Sequence, residues 1–189
     1  FLNITYAVVA GAIFGLCAAT FSKVMHKVSR FFKAQIAYPP LRPVAGGVMV
    51  VLAVWALGTT EYIGLGIPTI LSAFEQPLPA YAFALKMLLT IITLSAGFKG
   101  GEVTPLFFIG VVLGNALGYF IPLPLGLLAG MGFVAVFAGA TNTPIACSIM
   151  AIELFGAECG VYVALACVVS YLLSGHNSIY GGQVIGEAK

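Results

Sequence analysis

The chain has 189 residues, of which 61% are hydrophobic and 7% are charged, whereas an ordinary soluble domain carries about 25% charged residues. With a mean hydropathy of +1.09, this composition excludes an ordinary soluble domain and predicts an integral membrane protein in a lipid bilayer. The formal net charge of +2 does not indicate a nucleic-acid-binding surface, because the basic residues are gathered mainly in residues 23–42.

The first predicted helix begins with the charge-free residues 4–22 and continues through a basic stretch. Spacings of four, three and three place its basic residues on one face: Lys23, Lys27, Arg30 and Lys33. The next apolar run, 43–60, follows helix-breaking prolines and ends in a predicted loop that carries Glu61 and Glu75 but no basic residue. By the positive-inside rule, the basic end faces the cytoplasm and the Glu61 loop faces the other side.

The remaining apolar segments are mostly too short for a full crossing, which takes about 20 residues. They comprise 77–98, 105–121, 123–139, 144–155 and 157–173. Short segments interrupted by Gly or Pro are tolerated at membrane depth only where the broken backbone is buried in protein or lines a cavity. In transporters they mark the binding site. The predicted fold is therefore an all-α integral membrane bundle of broken and tilted transmembrane helices.

Small residues predict where these helices pack closely. Three sets of glycines recur every four residues: Gly11 with Gly15, Gly110 with Gly114 and Gly118, and Gly126 with Gly130. Each set lines one helix face and lets a neighbouring backbone approach. The four cysteines stand singly in apolar segments and are interpreted as small packing residues. The sequence therefore predicts no metal site and no cofactor.

Glu102 is the most informative charged residue, because residues 103–152 after it contain no Lys, Arg, Asp or Glu. An ionisable side chain at membrane depth costs about 2.5–3.5 kcal/mol or more and marks an ion or proton pathway by default. The alternative interpretation is that Glu102 caps its own helix or pairs with Lys99.

A predicted helix start follows directly. Thr104 suits the N-cap position and Pro105 the first helical position. The peptide N–H groups of residues 102–107 would then be partly free, and the glycine pair 100–101 would let the chain turn tightly in front of them. Such a helix end presents donors and a positive dipole to an anion.

Two further polar stretches contain candidate residues. Thr143 and Pro144 begin another short helix that ends near Glu153, which is assigned a structural role near a membrane face. After the last apolar segment, Gly175 is predicted to end the helix. A polar cluster follows: His176, Asn177, Ser178 and Tyr180. Taken alone, this cluster fits an interfacial loop with Tyr180 in an aromatic belt.

The stretches GFKGGEVTPLFFIGVVLG, AGATNTPIACSIMAIELFG and SGHNSIYGGQ, in this order, resemble the CLC family of anion channels and anion/proton antiporters. The resemblance extends over the whole chain and corresponds to the second of the family's two inverted repeats, here residues 1–189. Most members carry Gly-Gly-Ile-Phe-x-Pro where this chain has Gly-Gly-Glu-Val-Thr-Pro from Gly100 to Pro105. The Glu-Val-Thr version is similar to the fluoride-exporting branch.

The resemblance implies a set of site residues around a central anion, either fluoride or chloride. Gly101, Glu102, Val103 and Thr104 would face it from the helix start, and the Tyr180 hydroxyl would point into the same site. Glu102 would also exchange protons against the anion. Fluoride is small and strongly hydrated, so a site that replaces its water needs close donors, such as these N–H and hydroxyl groups.

The chain departs from the family in one respect. Members have a first repeat that supplies a Ser-containing loop and a gating glutamate, and these 189 residues contain neither. The chain is therefore expected to be half of a fluoride/proton antiporter, either cut from a longer protein or with its other half lost or supplied separately. Its first residues do not indicate a signal peptide. The resemblance further implies a homodimer through residues 144–173 and a location in a bacterial inner membrane.

Three alternatives remain at the level of sequence. The first is a chloride or general anion channel or exchanger of the same fold. The second is an inactive fragment that serves only for assembly. The third is an intramembrane hydrolase built on Ser174, His176 or Ser178, which is disfavoured because the chain lacks a Gly-x-Ser-x-Gly elbow and a His-Glu-x-x-His zinc pair. The main interpretation is therefore that the protein is a transporter and not an enzyme.

Overall fold

The computed structural model describes residues 2–176, 178–180 and 183. These residues form α-helices and one short 3₁₀ helix, which confirms the all-α prediction. In chain order the helices are α1 (Leu2–Gln35), α2 (Leu41–Leu57), α3 (Ile67–Glu75), α4 (Ala82–Ser95), α5 (Val103–Leu117), α6 (Leu125–Thr141), α7 (Pro144–Phe155), the 3₁₀ turn Ala157–Cys159, and α8 (Gly160–Leu173).

The helix lengths confirm a bundle of mostly short elements. Of the described helices, only α1, with 34 residues, is long and apolar enough to cross a membrane by length and composition. The others have 17 residues or fewer. The basic side chains of α1 lie together on its exposed face, as their spacing predicts.

One helix was not predicted. Helix α3 occupies part of the predicted loop after α2, so the prediction that Glu75 lies in a loop is wrong. The helix has only nine residues, which is too short for a periodic pattern to be recognised. Its local start signal was present, because the left-handed Gly66 precedes it and Pro68 lies in its first turn.

The centre of the bundle is the pair α5 and α6, which approach closely through glycine. A Cβ atom on Gly110 would collide with the carbonyl of Gly132, and one on Gly114 with the carbonyl of Leu128. Helices α1 and α8 pack against α6, α4 packs against α5 and α1, and α3 contacts both members of the pair. The predicted packing role of Gly110 and Gly114 is confirmed.

Of the other glycines that were predicted to allow close helix packing, some do so and others do not. Gly11 and Gly15 of α1 face the backbone of α8, as predicted. Gly126 and Gly130 do not meet a close backbone, since the nearest atoms to a Cβ at either position lie at least 3.5 Å away. Gly132 takes that role instead. Gly118 lies outside α5, against the carbonyl of Asn115 in its own last turn.

Asn115 connects the core to the segment between α3 and α4. It is 1% exposed, and its amide Nδ2 donates to the carbonyls of Ala73 at 2.6 Å and Gln76 at 2.8 Å. The Leu78 N–H donates to its Oδ1 at 2.9 Å. These bonds satisfy backbone groups that the end of α3 leaves open.

Candidate anion site

Helix α5 begins earlier than the sequence predicts. Its N-cap is Glu102, whose carbonyl accepts the first helical hydrogen bond from the Leu106 N–H at 3.2 Å. The prediction that Thr104 is the N-cap is therefore wrong. Pro105 stands at the third helical position, where a missing N–H also costs nothing because the first N–H groups of a helix lack helical partners.

The open donors are consequently fewer than predicted. Leu106 already donates within the helix, so the range 102–107 narrows to the N–H groups of Glu102, Val103 and Thr104. Among the described residues, these three groups have no hydrogen-bond partner. Their side chains are half-buried. The helix start can thus offer three N–H donors and its positive dipole to an anion.

The glycine pair in front of the helix has a different role from the predicted one. The chain turns through a left-handed residue at Gly97, with φ of 95°, and neither Gly100 nor Gly101 has a positive φ. A Cβ atom on either residue would meet nothing within 4 Å. The two glycines therefore leave space beside the helix start instead of forming the turn.

Tyr180 lies opposite this helix start. The Glu102 carboxyl lies within electrostatic reach of the Tyr180 hydroxyl, although 78 positions separate the two residues in the sequence. The Tyr180 side chain is 43% exposed. The structure thus brings together the two ends of the predicted site, the Glu-Val-Thr turn and the terminal tyrosine.

The second Thr-Pro helix start lies close to the same tyrosine. Thr143 is the N-cap of α7, and Pro144 is its first residue, as predicted. The Thr143 hydroxyl is 2.6 Å from the hydroxyl of Thr141. Both threonines and Tyr180 line a cavity of about 220 Å³. Sequence reasoning did not single out Thr141, although it lies in the stretch AGATNTPIACSIMAIELFG, because it ends a hydrophobic helix and precedes the more informative Thr143-Pro144 pair.

A larger cavity, of about 480 Å³, lies beside the helix start and is lined by Gly100, Gly101 and Pro105 together with Lys86 of α4. Lys86 is 1% exposed. Its Nζ donates to the Gly64 carbonyl at 2.6 Å and lies 4.9 Å from the centre of the Phe108 ring. The buried lysine thereby fixes the loop before α3, a role that the sequence did not indicate.

The serines proposed for hydrolysis are engaged with the backbone. The Ser174 hydroxyl donates to the Tyr171 carbonyl at 2.9 Å, and the Ser178 hydroxyl donates to the Ala140 carbonyl at 3.3 Å. Gly175 is left-handed after α8, which agrees with its predicted helix-ending role. Asn177 lies outside the described residues.

Comparison with known proteins identifies relatives of the chain. The sequence matches the voltage-gated chloride channel family over residues 1–175. A chloride/fluoride channel protein of Pseudomonas syringae pv. tomato is 51% identical over 193 residues, which cover 99% of this chain and 43% of that protein. The voltage-gated ClC-type chloride channel ClcB of Escherichia coli is 28% identical, over 87% of this chain and 42% of that protein.

Solved structures that superpose on this chain come from the same family as its sequence relatives. A CLC-type fluoride/proton antiporter superposes with a TM-score of 0.91 at 36% identity, over 94% of this chain and 45% of that one. A slow cyanobacterial Cl⁻/H⁺ antiporter gives a TM-score of 0.75 at 21% identity, which shows the fold alone. The chain therefore spans less than half the length of the proteins it matches.

Proposed function

Since this chain belongs to the voltage-gated chloride channel family, we propose that its full-length protein is a fluoride/proton antiporter that exports fluoride. The chain would be its C-terminal repeat, completed by an N-terminal repeat. The observation that carries this proposal is the proximity of Glu102 and Tyr180 beside three open N–H donors. The 51% identical chloride/fluoride channel protein and the superposed CLC-type fluoride/proton antiporter support it.

The donors at the helix start suit a small anion. The N–H groups of Glu102, Val103 and Thr104, with the Thr104 and Tyr180 hydroxyls, would form the set of hydrogen-bond donors around the anion. Hydrogen bonds to an ionised acceptor are shorter and about twice as strong as neutral ones. Fluoride, which gives up a tightly held hydration shell, gains more from such close donors than the larger chloride does.

Glu102 adds a proton carrier to the same place. A carboxylate beside the anion repels it, whereas a protonated carboxyl removes that repulsion and can donate a hydrogen bond. Proton binding and anion binding at Glu102 therefore favour each other. The coupling links proton binding at Glu102 to anion occupancy, which the proposed exchange of fluoride against protons requires.

The outer faces of α7 and α8 support the proposed homodimer contact. Exposed apolar side chains recur on one face of each helix: Ile145, Ile149 and Ile152 on α7, and Val161, Val168 and Leu172 on α8. A second copy would cover this surface within a bacterial inner membrane. Crosslinking between cysteines introduced at Ile149 and Val168 of the full-length protein would give dimers, and lipid contact alone would leave monomers.

The proposed activity is tested by fluoride efflux from liposomes that contain the full-length protein, with pH recorded inside and chloride as the competing ion. Fluoride efflux accompanied by proton entry, and slow chloride efflux, are the expected results. Chloride movement as fast as fluoride movement, without proton flux, would replace the proposal with a chloride or general anion channel, as the ClcB relative suggests.

A further inference from the structure

We propose that His26 of α1 is a positioning residue for Tyr180 and so controls how firmly the tyrosine hydroxyl is presented to the anion. The inference rests on the proposed role of Tyr180 in the anion site. His26 was not among the predicted site residues. It belongs to the basic stretch of α1, yet it differs from its neighbours Lys23 and Lys27 because it is half-buried while they are exposed.

Tyr180 lies in a non-helical segment after α8 and depends on other elements for its position. One anchor is the end of α6. The Ala140 carbonyl accepts hydrogen bonds from the Ile179 N–H at 3.0 Å and from the Ser178 hydroxyl at 3.3 Å. The same Ser178 hydroxyl accepts the Tyr180 N–H at 3.1 Å. These bonds fix one side of the segment.

The second anchor is His26. Its Nε2 lies 2.7 Å from the carbonyl oxygen of Ser178, although the two residues are 152 positions apart. A carbonyl oxygen only accepts hydrogen bonds, so Nε2 must carry the proton in this contact. The bond holds the Ser178 peptide from the side opposite to Ala140.

Two anchors on different helices restrain the segment more than one anchor does. Ser178 and Ile179 are buried, at 5% and 8% exposure, whereas Tyr180 is 43% exposed. The tyrosine ring therefore gains little restraint from its own packing and takes its direction from the backbone before it. Loss of the His26 bond leaves the Ser178 carbonyl without that donor. Among the described residues, the Ser178–Ile179 peptide is then held only by the Ile179 N–H bond to Ala140 and is freer to rotate.

The positioning role of His26 is isolated by substitutions that differ in whether the side chain can donate a hydrogen bond to the Ser178 carbonyl. His26→Phe keeps a planar ring but cannot donate, whereas His26→Gln supplies an amide N–H at a similar distance from the backbone. His26→Asn introduces a polar side chain that is too short to reach the Ser178 carbonyl. This variant is used instead of His26→Phe if the latter does not fold. Lys27→Gln, at the exposed neighbouring position, is the matched control.

The direct measurement is ¹⁹F NMR of the full-length protein with 3-fluorotyrosine at position 180. His26→Phe is expected to shift and broaden this resonance, His26→Gln to restore it, and Lys27→Gln to leave it unchanged. The same label at Tyr119 is expected to respond to none of them. An unchanged resonance at position 180 in His26→Phe overturns the inference, whether or not the protein transports fluoride.

Transport then links the position of Tyr180 to function. We expect His26→Phe to weaken the apparent fluoride affinity roughly three- to tenfold, the size of one hydrogen bond. The effect should vanish in a Tyr180→Phe background, because the hydroxyl that His26 positions is then absent. Equal effects of His26→Phe with and without that hydroxyl would overturn the inference. A protein that shows the NMR response but moves no fluoride would refute the antiporter function and leave the positioning role intact.

Discussion

Residues 106–117 of α5 are almost wholly buried, whereas residues 102–105 at its start are half-buried and leave N–H donors open. The buried part packs against α6 so tightly that two of its positions admit only glycine. The start instead lies near Tyr180 and lines one cavity, that of about 480 Å³, through Pro105. One helix thus serves two purposes: its body holds the bundle together, and its first turn remains available for a ligand. Changes in the two parts should therefore have different consequences.

The largest effect is expected from Gly110→Leu, in the body of α5. The added side chain would collide with the backbone of Gly132, and backbone cannot move aside as a flexible side chain can. We expect the full-length protein to lose about 3 kcal/mol of stability or more. Thermal unfolding in detergent, followed by size-exclusion chromatography, measures this loss. Gly100→Ala is the control, because its Cβ meets nothing and should leave the unfolding midpoint unchanged. A wild-type midpoint for Gly110→Leu would contradict the packing argument.

A comparable loss is expected from Asn115→Leu, which removes three hydrogen bonds from the body of α5. At about 1 kcal/mol each, they contribute roughly 3 kcal/mol. Thr93→Val is the control, since its hydroxyl donates only within its own helix, to Leu89. If Asn115→Leu and Thr93→Val unfolded at the same temperature, the three Asn115 hydrogen bonds would not contribute measurably to stability.

At the start of α5, function should change without a loss of stability. Tyr180→Phe removes a hydroxyl from a partly exposed ring, so the fold is expected to persist. A hydrogen bond to a charged group contributes about 1.5–3 kcal/mol, which predicts a roughly 10- to 100-fold weaker apparent fluoride affinity. Fluoride efflux at a series of concentrations measures it. Tyr119→Phe, on the exposed link after α5, should behave as wild type. Equal affinities for Tyr180→Phe and wild type would exclude the hydroxyl from the site.

The smallest effect distinguishes the two Thr-Pro helix starts. Thr104→Ala removes one neutral hydroxyl at the start of α5 and should reduce the preference for fluoride over chloride roughly fivefold. Thr143→Ala, at the start of α7, removes a hydroxyl that already contacts Thr141 and should leave the preference unchanged. Selectivity measured from paired fluoride and chloride effluxes of the two variants shows which helix start lies at the anion site. A larger change in Thr143→Ala would move the anion site toward α7.

Local signals predicted much of the fold. Helix α7 has its predicted bounds, because Thr143-Pro144 starts it and Gly156 ends it. The four-residue spacing of Gly110 and Gly114 predicted their face correctly. Gly132 was missed because it stands two residues from Gly130, outside the repeating pattern. Thr104 was wrongly placed at the N-cap because N-cap preference is statistical, whereas the Glu102 carbonyl bond to Leu106 sets the actual start.

The residues assigned to the candidate site remain predictions, and the contacts that support them were not predicted from the sequence. The motif around Glu102 and the terminal Tyr180 were recognised by resemblance. The contact between His26 and Ser178 joins residues 152 positions apart, and no local pattern encodes such a pairing. The bond from Lys86 to the Gly64 carbonyl could not be predicted from the sequence either, since a lone lysine in an apolar helix does not indicate its acceptor.

The most direct test of proton coupling at Glu102 is uphill fluoride transport driven only by a pH gradient, in liposomes that contain the full-length protein or its Glu102→Gln variant. The wild type should concentrate fluoride against its gradient until the two gradients balance. Glu102→Gln, shown to be folded by its unfolding midpoint, should dissipate fluoride gradients at most and never build one. Uphill transport by Glu102→Gln at the wild-type level would contradict the assignment of Glu102 as the proton carrier.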